Sequence, residues 1–325
     1  MGIHLLQTFI SSLKDSSIKE KHLREFSNKK ITVDISIYLY RFKEMGNLLE
    51  NIYLMCSIFR YYNIHALFIF DGKYFKNKNE TMRKRKESKK QAEKKFNTIK
   101  ENLHNYNGDK YSHLSLSMQL DTLRKQFITV TKEDVKNVKD LLDAYGMVYV
   151  SAKHEADELC GALNNEVYAC LTEDTDIMVY GCKRIFRYFS LMKHTVVVYD
   201  MTLIHKNLNM TLSDFQELCV CAGNDYITSK KNIFYYYDLF KQYKKTVQPG
   251  FLDWLLQKKP GLLDWLLQKR YISLQEYHQR QEILDIYTFK THDPFEGVPY
   301  TLIKNKFVNK QKLLNILETV GFIFP

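Results

Sequence analysis

Four short runs of apolar residues punctuate the chain, and each leads into acidic residues. Lys30-Ile31-Thr32-Val33 stops at Asp34, and Ala66-Leu67-Phe68-Ile69-Phe70 stops at Asp71-Gly72. Met147-Val148-Tyr149-Val150 precedes His154-Glu155-Ala156-Asp157. Val167-Tyr168-Ala169-Cys170-Leu171 runs into Thr172-Glu173-Asp174-Thr175-Asp176. The runs are largely continuous in apolar residues instead of alternating, which predicts strands covered on both faces. Stretches with helical spacing lie between them, such as Val135 to Tyr145 and Glu155 to Leu163. Strand–helix alternation predicts an α/β fold with a mostly parallel central sheet and helices on both faces. Ligands of such sheets sit at the carboxyl ends of the strands, where every one of these acids falls.

Between the second and third runs the pattern changes. Residues 73–95 hold eleven Lys/Arg against three Glu, with no proline or glycine, and predict an exposed basic helix. Residues 105–120 (NYNGDKYSHLSLSMQL) begin as polar and loop-like. An insertion of this kind between core strands suits the gripping of a nucleic acid. Farther on, Pro249–Lys259 (PGFLDWLLQKK) recurs almost unchanged as Pro260–Arg270 (PGLLDWLLQKR). Two copies fall short of a solenoid. They predict two short amphipathic helices, each opened by Pro-Gly, with a structural role.

Composition narrows the classes. With 325 residues and 45% apolar content the chain can bury a sizeable core. A net charge of +11 suits a polyanionic partner, although a bias toward Lys, Asn, Ile and Tyr in the coding sequence raises the same number. Cys56, Cys160, Cys170, Cys182, Cys219 and Cys221 form no CxxC pair and read as buried thiols in a reducing compartment. The opening MGIHLLQTFISS lacks a basic leader region, and no run reaches the ~18 apolar residues of a membrane span. Leu6 stands where a myristoylation motif after Gly2 needs Ser or Thr. The expectation is an intracellular protein with no membrane partner.

Acids gathered at several strand ends suggest a metal site. Magnesium prefers hard oxygen donors, and a pair of such ions ~3.5–4 Å apart serves phosphodiester cleavage. Clustered carboxylates repel one another and disfavour an empty site. A single Asp after a strand is usually a cap or turn residue; a set of them is harder to explain that way. Lys78 and Arg85 stand seven residues apart, two helical turns, and so share one helix face.

In order along the chain stand Met1-Gly2-Ile3, VDISIYLY around Asp34, FIFDGK around Asp71, EADELCGAL from Glu155, TEDTDIMVYG from Thr172 and LCVCAGNDY through Asp225. This series resembles the flap structure-specific endonuclease family of 5′ nucleases, which includes nucleotide-excision-repair and junction-resolving relatives. The resemblance runs from Met1 to about Asp225, and more weakly beyond. It implies a PIN-like nuclease fold with a core over 1–226, a helical arch over about 73–130 and a helical DNA-binding region over 227–325. It implies a 5′ flap endonuclease and 5′–3′ exonuclease of DNA replication or repair, acting on branched or 5′-ended DNA in the nucleus or at a cytoplasmic replication site. Two Mg2+ ions, replaceable by Mn2+, are implied as cofactors. Asp34, Asp71, Glu155 and Asp157 would serve one ion, and Asp174, Asp176 and Asp225 mainly the other. Lys78 and Arg85 fall where the family's catalytic cations fall, Tyr40 matches its base-stacking tyrosine, and Gly2 its terminus beside the active site. One alternative stays open: were Glu155 already helical, its same-face neighbour would be Glu158 instead of Asp157.

The chain also departs from that family. The glycine-rich turn that grips duplex phosphates is missing after Asp225-Tyr226, and Lys230 and Lys231 are left as point charges before a helix expected from Asn232 to Lys244. A potassium site is accordingly doubtful. The loop at Glu44–Asn47 is short, and the end, Phe322-Ile323-Phe324-Pro325, carries no clamp-binding motif, so a sliding clamp is not indicated. A Holliday-junction resolvase or RNA 5′ exonuclease on the same fold is the alternative reading. A non-catalytic nucleic-acid-binding scaffold is the alternative of another class.

Overall fold

The computed structural model describes residues 2–3, 5–13, 16–72, 79–104, 110–246, 261–298 and 303–322. Its centre is a seven-stranded sheet. The strands are β1 (Ile18–His22), β2 (Lys30–Asp34), β3 (His65–Phe70), β4 (Val148–Ser151), β5 (Ala169–Leu171), β6 (Arg184–Ser190) and β7 (Thr195–Asp200). Their order is β1-β7-β6-β5-β2-β3-β4. From β4 through β6 neighbouring strands are parallel; β7 and β1 add an antiparallel edge. All four apolar runs are strands of the parallel part, as their pattern predicts.

Both faces of the sheet are covered. Within β3, Leu67 and Ile69 face one apolar cluster, while Ala66, Phe68 and Phe70 face the other. In β2, Ile31 and Val33 join the second cluster, and Thr32 between them is fully buried. This explains why the runs do not alternate: both pleat faces need cover, so polar positions have nowhere to go. Helices α2 (Ser36–Glu44) and α3 (Leu48–Tyr61) join β2 to β3, and α6 (Lys132–Tyr145) leads into β4. A reciprocal Thr131–Asp134 capping box opens α6.

Between β3 and α6 lie two long helices, α4 (Asn79–His104) and α5 (Lys110–Gln126). At 1.5 Å per residue α4 is roughly 39 Å long. Phe96 meets Phe127 edge-on at 5.3 Å, and Lys89 Nζ donates to the Ile128 carbonyl at 2.9 Å. Residues 105–109, the expected loop-like start of the 105–120 stretch, lie outside the described residues, and from Lys110 onward the chain is helical. Leu116, Leu120, Leu123 and Phe127 recur at helical spacing and are half-buried. The serines and polar residues interleaved with them hide that stripe.

Beyond β7 the chain is helical: α7 (Ala156–Ala162) lies earlier, and α8 (Met201–Leu208), α9 (Leu212–Ala222) and α10 (Ile233–Thr246) follow in turn. Then come α11 (Leu262–Gln268), α12 (Leu274–Tyr287) and α13 (Lys310–Glu318). The first apolar cluster extends from Ile3 to Ile303 and so joins both ends of the chain to the sheet. All six cysteines are buried and free, as expected. Among the described residues no helix is long and apolar enough to cross a membrane.

The second duplicate copy forms α11, with Leu262, Leu263, Trp265 and Leu266 buried, as its pattern predicts. The first copy lies outside the described residues. Gly261 at the start of α11 is a close approach: a Cβ there would stand 2.6 Å from Glu217 Oε1. Glu217 Oε2 accepts the Leu263 N–H at 2.8 Å and so caps α11 from α9. Burial, followed by the charges of Asp264 and Asp214, pushes Glu217 up to about 7, while the N–H of Leu263 draws it down. Because the folded value lies above the unfolded one, this carboxyl favours folding fully below pH 4.5, and the contribution is lost as pH rises toward 7. Glu217→Gln should therefore match the parent in chemical denaturation near pH 4. At pH 8 it should exceed the parent by on the order of 2 kcal/mol.

Candidate active site

The strand order brings the acids together. β2 lies between β3 and β5, all pointing the same way, so Asp34, Asp71 and the loop of Asp174 and Asp176 leave neighbouring strand ends. β4, beside β3, delivers Glu155 and Asp157 at the start of α7. This is the switch point of the sheet, where the chain crosses from one side of β2 to the other.

Each carboxylate is held by short local bonds. Asp34 accepts from the Ser36 N–H at 3.1 Å and from the Thr172 hydroxyl at 2.9 Å. Asp71 accepts from the Ser36 hydroxyl at 2.5 Å and from the Ala156 N–H at 2.9 Å, which ties β3 to the first turn of α7. Asp174 Oδ1 accepts from the Asp176 N–H at 3.1 Å, while the Asp174 N–H donates to Thr172 Oγ1. Glu155 Oε2 accepts from the Tyr226 hydroxyl at 3.1 Å. Thr172 therefore serves two acids at once. Glu173, in the same loop, turns away: it accepts from the Tyr188 N–H at 2.7 Å and pairs with Arg187.

The choice between Asp157 and Glu158 turns on the helix start. Glu155 is extended, with φ −100° and ψ 147°, and α7 begins after it at Ala156. The i,i+3 argument for Glu158 therefore does not apply. Glu158 Oε1 lies against His292 Nε2 from the C-terminal region. Asp157 is buried, and its Oδ1 accepts the Glu158 N–H at 2.7 Å.

Gly2 packs against the Asp174–Asp176 loop, where a Cβ would stand 2.2 Å from Thr175 Oγ1 and 2.7 Å from Asp174 Oδ1. Its φ of +90° also disfavours any side chain. The next residue continues the tie, with the Ile3 N–H donating to Thr175 Oγ1 at 3.2 Å. Tyr40 on α2 is 43% exposed, unlike fully buried Tyr38 on the same helix. Lys89 Nζ stands 5.0 Å from the Tyr40 ring centre. Arg85 of α4 reaches Asp225, with Nη2 to Oδ2 at 2.6 Å. Lys78 lies outside the described residues. Lys230 and Lys231 are exposed before α10, which starts one residue later than expected, at Ile233. Asn224 Oδ1 organises that connection by accepting the N–H groups of Tyr226 and Ile227.

The donor chemistry fits a hard divalent cation. The gathered side chains offer only oxygen, and several are removed from water. Burial above all, then the charge of Asp71, pushes the Asp34 carboxyl well above the usual range, with Thr172 opposing. A cation would relieve both effects. Among the described residues, no three of the His, Cys, Asp and Glu side chains close on one point, each being held by its own bonds. The fit thus rests on donor type and mutual repulsion.

Sequence reasoning missed Thr172, Ser36, Tyr226 and His292. Thr172 and Tyr226 sit beside quoted motifs, so a hydroxyl next to a buried acid was a usable signal. Nothing in the sequence pairs His292 with Glu158, 134 residues earlier by number.

Comparison with known proteins adds the following. A profile of the XPG N-terminal domain matches residues 1–92, and one of the XPG I-region matches residues 146–225, together more than half of the chain. Flap endonuclease 1-B of Xenopus laevis is 28% identical over 253 residues, covering 72% of this chain and 63% of that one. The chain thus spans less than two thirds of that relative's length. The catalytic core of Rad2 in complex with DNA substrate superposes with a TM-score of 0.66 at 21% identity, covering 99% of this chain and 95% of that one. Human GEN1 in complex with Holliday junction DNA gives 0.62 at 18% identity, covering 99% and 74%. These two superpositions establish a shared fold.

Asp34→Asn should raise the thermal midpoint of the metal-free protein at pH 8, because it removes a charge that burial disfavours. The gain should shrink as pH falls through the carboxylate range and vanish below 3.8, where Asp34 is protonated in the folded and unfolded chain alike. A midpoint at pH 8 below that of the parent would contradict this reading of the cluster.

Proposed function

This chain belongs to the flap endonuclease (XPG) family, and on that premise we propose that it is a divalent-metal-dependent, structure-specific 5′ flap endonuclease and 5′–3′ exonuclease acting on branched or 5′-ended DNA. The observation that carries the proposal is the placement of Asp34, Asp71 and Asp174 just at or beyond the carboxyl ends of adjoining parallel strands, with Arg85 of a basic helix paired to Asp225. Replication or repair inside the cell is the setting such a substrate implies.

Asp34, Asp71, Glu155 and Asp157 would hold one Mg2+, with Asp174, Asp176 and Asp225 for the other. When bound, the ions supply water activation and charge stabilisation at the scissile phosphate. The protein's own groups do the rest. Thr172, Ser36 and Tyr226 fix the orientation of the acids. Arg85, with Lys78, supplies positive charge toward the phosphate as negative charge develops there. Tyr40 offers an exposed ring for the terminal base, an interaction worth ~1–3 kcal/mol per stacked base. Arch lysines such as Lys89 add contacts to the strand, and Lys230 and Lys231 at α10 add contacts to the duplex.

A second reading, junction resolution, is favoured by the short α2–α3 connection, Met45–Asn47, which leaves little room for a wedge at the branch point. A panel of labelled 5′ flaps, nicked duplexes, four-way junctions and RNA ends in Mg2+ separates the readings by rate and cut position. Flaps should be cut fastest, near the branch. Asp174→Asn should abolish cleavage while leaving DNA binding in Ca2+ intact. Arg85→Ala should lower the single-turnover rate on the order of a hundredfold. No cleavage of any member of the panel by the parent would overturn the enzyme reading.

A further inference from the structure

Strand β6 departs from regular pairing beside the loop of Asp174 and Asp176. Arg187 faces Val197 and Ser190 faces Thr195, so β6 carries an extra residue in that interval. Within it Tyr188 takes a φ of +54°, a left-handed conformation that costs a bulky residue free energy. The Tyr188 side chain is 49% exposed, so burial of its ring does not demand that conformation. The distortion accompanies a bond that leaves the sheet: the Tyr188 N–H donates to Glu173 Oε1 at 2.7 Å.

Arg187, next in line, is 5% exposed. Its Nη2 donates to the Glu173 carbonyl at 2.7 Å, and its Nε stands 3.7 Å from Glu173 Oε2. Its Nη1 donates to Gln7 Oε1 of the amino-terminal helix. Gln7 is anchored in turn, with its Nε2 donating to the Tyr199 hydroxyl at 2.6 Å. A buried guanidinium is costly unless its donors are used, and here the planar fork spans a backbone carbonyl and a side-chain amide. Glu173 is thus gripped at both its carbonyl and its carboxylate, immediately before Asp174. On the other side of Asp174, Thr175 Oγ1 accepts the Ile3 N–H at 3.2 Å. The 172–176 loop is therefore fastened on both sides of Asp174, from β6 and from the amino terminus.

We propose that Arg187 is a positioning residue of the active site: by holding the Glu173 backbone and joining it to Gln7, it fixes the loop that carries Asp174 and Asp176. It acts through Glu173 and sets the geometry of one of the two sets of ligands. Ligand carboxylates commonly depend on such outer partners, whose loss weakens metal binding. This inference rests on the divalent-metal reading of the same acids.

The test compares the full chain with R187M and R187K, using Mn2+ calorimetry and metal-free thermal midpoints. Binding is measured at a temperature where circular dichroism shows each protein folded. Both variants should keep one Mn2+ step at the parent's affinity and lose about tenfold in the other. Lysine should not rescue the loss, because its single ammonium lacks the fork that reaches the Glu173 carbonyl and Gln7 together. A purely structural arginine predicts lowered midpoints with both Mn2+ steps unchanged, and that result would overturn the inference. Equal losses at both steps would overturn it too, since the effect would then lie outside the 172–176 loop. Should R187M fold poorly, R187K decides alone by the same criteria. A parent that binds no Mn2+ overturns the inference together with the metal reading. A parent that binds Mn2+ but cuts no DNA refutes the flap reading alone, and calorimetry still decides the role of Arg187.

Discussion

Several carboxylates share one poorly hydrated corner at the end of β2, and their repulsion has to be offset. Asp34 is the centre of the problem: it is buried, it ends the central parallel strand, and Asp71 and Asp174 lie beside it. Hydroxyl and backbone donors hold these groups apart and oriented, but they add no positive charge. The site is consequently tense in the fold itself, and a divalent cation is the partner that would relieve it. Much of the surrounding structure can be understood as bearing that cost. Both faces of the sheet are sealed by apolar clusters, and Thr172 lends one hydroxyl to two acids.

Charge is distributed to match. The acids sit at the sheet, whereas the cations stand on α4, across the opening from them. Arg85 bridges the two by pairing with Asp225, and Lys89 covers the exposed ring of Tyr40.

The C-terminal third is tied into the same centre. Glu217 caps α11 across a gap that only glycine at 261 leaves open, and His292 reaches Glu158 behind α7. Through Phe9, which meets Phe234 and Tyr237 edge-on, the amino-terminal helix α1 (Leu6–Ser11) joins the packing.

The sequence by itself determined the four parallel strands β2 to β5 and the acids that stand at their ends. A parallel strand buried on both faces must be apolar throughout, and an acid placed at its end breaks that run visibly, as at Asp34, Asp71 and Asp174. It also determined that residues 73–95 are strongly basic. The helix at Lys110–Gln126 was legible in principle, but its leucine stripe is diluted by polar neighbours. Only the tertiary structure decided that Glu155 is extended and precedes α7, which removes the i,i+3 argument for Glu158. Only it brought Gly2 against Asp174, Arg85 to Asp225, and His292 to Glu158. Those pairings join residues far apart along the chain, and nothing local records them. They follow from the strand order and helix packing, which the whole core selects at once.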